Sequence, residues 1–217
     1  NPQHMKSATA AKLAGRDVRV EITERATEGG ETHIVYHPKT LVIGIGCERN
    51  TPAAEVIALV SQTLEAGNLA PASIAAIASI DVKSDEHAIH AATKHFRVPA
   101  LFFTAEELRR ESPRLRNPSM LVEKEVGTPG VSEAAALAAA GPQSELIVEK
   151  TKSLRATCAI AKSPAPLLEI PGRPRGIGGF PDQPPILAGT MDNALAVIEP
   201  HKWPTMTLRV LLLQGFQ

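Results

Sequence analysis

A chain of 217 residues with 23 basic and 23 acidic side chains, hence no formal net charge, is long enough to bury its own core without staples. Balanced charge and only seven aromatic residues exclude a basic, base-stacking nucleic-acid surface, and no run of about 18 apolar residues exists to form a membrane-spanning helix. Two cysteines, Cys47 and Cys158, supply neither a disulfide framework nor a zinc motif, so the expected compartment is the cytoplasm.

Residues 1–5 read as a remnant left by cloning rather than as a signal peptide. Residues 6–38 form an N-terminal segment or the end of a preceding domain or linker. Strand-like runs at 18–23 and 32–36 are joined there through Gly29-Gly30 as a candidate hairpin. From residue 39 to 163 the pattern alternates strand and helix. LVIGIG (41–46) is a continuous apolar run, as in a strand covered on both faces. Thr51-Pro52 then reads as cap and first helical position, with Val56, Val60 and Leu64 repeating every four residues until Gly67. IAAIASI (74–80) is a second strand, followed by a helix in which Ala88, Ala92 and Phe96 share a face.

A third strand covers 99–104 and a short helix 105–110, before a polar loop at 111–120. Thr128-Pro129 repeats the cap chemistry ahead of an alanine-rich helix over 131–140, closed by Gly141-Pro142. Strands at 145–149 and 156–161 flank a basic turn. This order predicts an α/β three-layer sandwich with a mainly parallel sheet, helices on both faces and a C-terminal hairpin. Residues 164–217 hold nine of the 18 prolines and six of the 15 glycines, and read as an extension of linker type.

Several segments carry candidate chemistry. GIGCERNT (44–51) ends a strand in glycines and opens a helix, whose free N–H groups attract anions, with Arg49 adding positive charge. Arg49 also stands where a dinucleotide fingerprint needs its third glycine, which argues against that ligand. In SIDVKSDE (79–86), Asp81 and Lys83 follow a strand exit, where open α/β sheets gather ligands. Asp81 is a candidate general base and Lys83 a candidate anion holder, while Asp85 fits helix capping. Glu133 stands in the first turn of the alanine-rich helix, where it complements the dipole. Lys150, Lys152 and Arg155 make the last turn cationic. His87 and His90 share a helical face with Lys94, a solvated pattern rather than a metal site.

Taken in order, LVIGIGCERNTPAAEVIALV, IAAIASIDVKSDE, PALFFTAEEL, VGTPGVSEAAALAAAG and LIVEKTKSLRATCAIA resemble the CbiG/CobE family of cobalamin biosynthesis, in its C-terminal domain. The resemblance covers residues 36–162. It departs in carrying Gly130 where the family usually has Ser and Ser132 where it usually has Ala. It implies an α/β sandwich that occurs alone, as CobE, or as the last domain of cobalt-precorrin-5A hydrolase. That enzyme opens the ring-A δ-lactone and releases acetaldehyde.

The implied ligand is a precorrin or cobalt-precorrin pigment, with cobalt present only as part of the substrate and no separate cofactor. Implied partners are other corrin-biosynthesis enzymes, including a precorrin-3B C17-methyltransferase. A macrocycle fringed with carboxylates calls for dispersed cations and helix N-termini, here Arg49, Lys83, Lys150 and Lys152 with the Thr51 and Thr128 helix starts. Lactone opening would need Asp81 or Glu133 to activate water, and N–H groups near Asn50 and Thr51 to receive the oxyanion. The alternative is a CobE-like module that binds or carries the pigment without chemistry.

Overall fold

The computed structural model describes residues 7–13, 16–119 and 127–167, so the expected remnant at 1–5 and nearly all of the extension at 164–217 lie outside the described residues. Two units are distinguished. The first holds a three-stranded sheet of β1 (Ser7–Leu13), β2 (Arg16–Ile22) and β3 (His33–Tyr36) in that spatial order. β1 and β2 are antiparallel, whereas β2 and β3 run parallel. The hairpin therefore lies one strand earlier than the runs at 18–23 and 32–36 suggest. Gly30 and His33 exchange backbone hydrogen bonds of 2.8 and 3.1 Å, and this tight reversal turns the chain again before β3. The alanine- and lysine-containing β1 has little strand propensity of its own, which hid it in the sequence. Val18 and Val20, alternating along β2, are buried together with Val35.

The second unit is a five-stranded sheet in the order β6-β5-β4-β8-β7. It comprises β4 (Leu41–Cys47), α1 (Ala53–Ala66), β5 (Ile74–Ile80), α2 (His87–Phe96), β6 (Ala100–Phe103), α3 (Ala105–Arg110), α4 (Val131–Ala140), β7 (Glu145–Lys152) and β8 (Ala156–Lys162). β4, β5 and β6 are parallel, and β8 returns antiparallel beside β4 as half of the β7–β8 hairpin. All seven residues of β5 are buried, which explains its unbroken apolar run.

Each face of the sheet has its own core. Leu41, Ile43 and Ile45 of β4 pack with Val56, Val60 and Leu64 of α1 and with Ala88, Ile89 and Ala92 of α2. Val42, Ala78, Ile80 and Ala161 pack on the other face with Leu108 and the alanines of α4. α4 lies unusually close to β4: a Cβ on Gly44 would stand 1.8 Å from the Ser132 carbonyl oxygen and 2.8 Å from the Ala136 nitrogen. Gly44 therefore serves helix–sheet contact. Small residues on both partners bring the backbones together, and the start of α4 is set directly above the end of β4.

The helix starts differ from the expected caps. α1 begins at Ala53 after Pro52, α2 after Glu86 and α4 after Gly130, none with a side-chain cap. Thr51 instead donates to the Glu48 carbonyl at 2.9 Å, and Asp85 pairs with Arg49. Only α3 among the described helices carries a capping box, from Thr104 and Glu107. No described helix is long and apolar enough to cross a membrane.

Candidate functional site

The carboxyl ends of β4 and β5, the start of α4, the loop at 117–119 and the β7–β8 turn enclose a cleft of about 720 Å³. Parallel strands leave their C-terminal loops on one edge, and the chain here departs to opposite faces: β4 leads to α1 on one side while α4 enters on the other. A crevice opens where such crossovers diverge. Gly46 and Gly130 are among its lining residues.

Its walls are cationic. Among the described residues, Lys83, Lys150, Lys152 and Arg155 line it against a single acidic side chain, Glu48, which is paired with Arg155 at 3.1 Å. Lys83, Lys150 and Lys152, expected from the sequence, are therefore brought together. Burial pulls the Lys150 ammonium below the ordinary lysine value, with Glu133 opposing that pull and Lys152 adding to it. Its Nζ donates to the Asn117 carbonyl.

Arg49, Asn50 and Thr51 line a different hollow, of about 370 Å³, with Asp85 and Glu86. Arg49 reaches across to Asp85 and to the Val82 carbonyl, clasping the β4–α1 turn to the β5–α2 loop. Asn50 takes a left-handed backbone conformation (φ 57°), and its N–H donates to Glu86 Oε2 at 3.3 Å. Arg155 braces the same turn through the Asn50 and Arg49 carbonyls, at 3.3 and 2.8 Å.

Glu133 is 1 % exposed. Its Oε2 accepts from the backbone N–H groups of Arg116 (2.8 Å) and Asn117 (2.9 Å). Its Oε1 accepts from Asn117 Nδ2 (2.9 Å) and the Lys150 N–H (3.0 Å). Burial alone would raise its pKa, but the bonds from Asn117, Lys150 and Arg116 prevail and hold it below the usual value. This carboxylate ties α4, the 116–117 loop and β7 into one wall. Asp81 opens a 3₁₀ turn after β5, with Oδ1 accepting from the Val82 N–H at 2.7 Å; it is not among the cleft-lining residues. Thr128 is fully buried, and its hydroxyl has no hydrogen-bond partner among the described residues.

Asn117, Ser132 and the brace formed by Arg155 escape the sequence reading. A signal for Asn117 existed: a lone glutamate in a helix that is otherwise small and apolar on every side must find donors on a neighbouring loop. Cys47 also lines the cleft, where burial pushes its thiol up to about 11. No cluster of three or more His, Cys, Asp or Glu side chains able to hold a metal occurs among the described residues. His90 is occupied by the Ser84 carbonyl at 2.6 Å.

With this geometry in hand, comparison with known proteins is informative. Residues 41–161 match the family model described as "Cobalamin synthesis G C-terminus". The chain is 49% identical over 121 residues to "Protein CobE" from Sinorhizobium sp, covering 56% of this chain and 79% of that one. It is 33% identical over 155 residues to "Cobalt-precorrin-5A hydrolase" from Priestia megaterium, covering 71% of this chain but only 40% of that protein's length. A crystal structure of CobE, "a protein from the cobalamin (vitamin B12) biosynthetic pathway", superposes with a TM-score of 0.55 at 36% identity, over 58% of this chain and 91% of that one.

Proposed function

The chain belongs to the cobalamin synthesis G C-terminus family, and from that membership we propose that its cleft binds a cobalt-precorrin, the pigment class named in its hydrolase relatives. The observation that carries this reading is a cleft of about 720 Å³ where the described residues present four cationic side chains against one acid. Small-molecule sites commonly enclose about 300–1,000 Å³. A precorrin is a broad macrocycle rimmed by carboxylates, and separated ammonium and guanidinium groups around a hollow complement such a rim.

Binding without chemistry is the reading the geometry favours. Glu133 already accepts four N–H bonds with a lowered pKa, so it is a poor base for water. The hydrolytic reading draws its support from the relatives named hydrolase and rests on Asp81 as the base. In the binding role the module would hand its pigment to another corrin-biosynthesis enzyme, such as a C17-methyltransferase. Incubation with cobalt-precorrin-5A, following pigment spectrum and acetaldehyde together, separates the two. A spectral shift without acetaldehyde is expected. Acetaldehyde release that Asp81→Asn abolishes would replace binding by hydrolysis, and neither signal would refute both.

A further inference from the structure

We infer that the N-terminus of α4, together with the Ser132 hydroxyl, is a seat for one carboxylate of the bound ligand. The inference rests on the pigment-binding reading and specifies where in the cleft the anionic rim is anchored. Three observations converge on it. First, the leading amides of α4 are vacant: no side chain caps the helix, and among the described residues no acceptor takes the N–H of Val131, Ser132 or Glu133. A first helical turn leaves such donors unpaired by geometry, and they favour an anion.

Second, Ser132 is 1 % exposed and lines the cleft, yet among the described residues its hydroxyl has no hydrogen-bond partner. A polar group removed from bulk water without a partner is costly, and a ligand oxygen arriving at the helix end would satisfy it. Third, Lys83 and Lys150 line the same cleft. The position is rigid, because the close crossing at Gly44 fixes Ser132 against β4. The nearby Glu133 charge does not oppose an incoming carboxylate strongly, since four N–H donors already surround it.

A carboxylate fits better than a neutral group because the amides donate, the Ser132 hydroxyl can donate beside them, and the positive end of the helix favours an acceptor that carries negative charge. The test is titration of the full chain and of S132A with cobalt-precorrin-5A, read by the pigment spectrum, alongside thermal melting of both proteins and ¹⁵N amide shifts. Loss of one charge-assisted hydrogen bond should weaken binding on the order of tenfold. The melting temperature of S132A should be unchanged or raised, because the substitution removes an unpaired buried hydroxyl. The amides of residues 131–133 should move on titration of the wild type. If S132A binds as tightly as wild type while K83A binds more weakly, the cleft stands and the seat is overturned. If the wild type binds no pigment, the binding reading itself fails and the seat with it.

Discussion

Replacing Glu133 by Gln tests whether this carboxylate is the clasp of the cleft wall or a reacting group. Two oxygens receive four donors in the native protein, two on each. A glutamine keeps one acceptor oxygen, and its amide NH₂ must face the remaining pair of N–H groups. Two buried donors lose their partner and two keep a weaker, uncharged one. At about 1–3 kcal/mol for each unsatisfied buried group, with the charge-assisted part of the others also lost, E133Q should destabilise the second unit by about 3–5 kcal/mol. Urea denaturation followed by circular dichroism measures this directly. Acid supplies a second reading. Because the folded pKa lies below the ordinary value of 4.5, the stabilisation is present above that pH and disappears as pH falls through the folded value. Wild type should therefore lose part of its advantage over E133Q in acid. A cost under about 1 kcal/mol at neutral pH, together with abolished acetaldehyde release, would refute the clasp and restore a catalytic part for Glu133.

Other expectations follow from single contacts. Gly44→Ala drives a methyl into the α4 backbone at 1.8 Å, so it should cost about 3 kcal/mol or more and lower the melting temperature sharply. Lys150→Met should weaken pigment binding several-fold. In the wild type, the Lys150 share of binding should fade as pH rises through a value below the usual 10.5, since only the ammonium attracts a carboxylate; unchanged affinity across that range would count against it. Cys47, with a pKa of about 11, should react slowly with iodoacetamide at neutral pH and more slowly still under pigment, as read by mass spectrometry. Cys158, buried with a pKa of about 12, should remain unmodified in both cases.

The second unit was legible because its elements carry separate, strong signals. An unbroken apolar run announces β5, and the small, apolar α4 keeps its expected bounds of 131–140. Helix starts were less legible. Thr51 and Thr128 have the residue type of a cap, but the first donates to carbonyls and the second is buried without capping α4, and cap chemistry is decided by where neighbouring loops fall. The parallel β2–β3 pairing was hidden for a related reason: two strand-like runs around a glycine pair look alike whether the chain reverses once or twice. Of the site, cations on strand exits could be named one by one. Which hollow each would enter depended on pairs far apart in sequence, such as Arg49 with Asp85 and Asn117 with Glu133.

The β7–β8 hairpin completes the site. A purely parallel sheet would leave β4 at its edge, with the loop after Cys47 open to water on one side. Inserting β8 antiparallel beside β4 pairs Cys47 with Ala156 and brings the hairpin turn to the carboxyl edge, where Lys152 and Arg155 line the cleft together with Ile80 at the end of β5 and Lys83. Glu55 holds that turn from α1, accepting from Ser153 Oγ at 2.6 Å and from the Arg155 N–H at 2.7 Å. Leu154 at its tip is 89 % exposed. Cations lining a hollow together with an exposed apolar tip suit a ligand whose rim is acidic and whose face is not. Leu154→Asp should therefore weaken pigment binding without changing the melting temperature, because the side chain touches little in the free protein. Binding by the variant equal to that of wild type would remove the hairpin tip from the site.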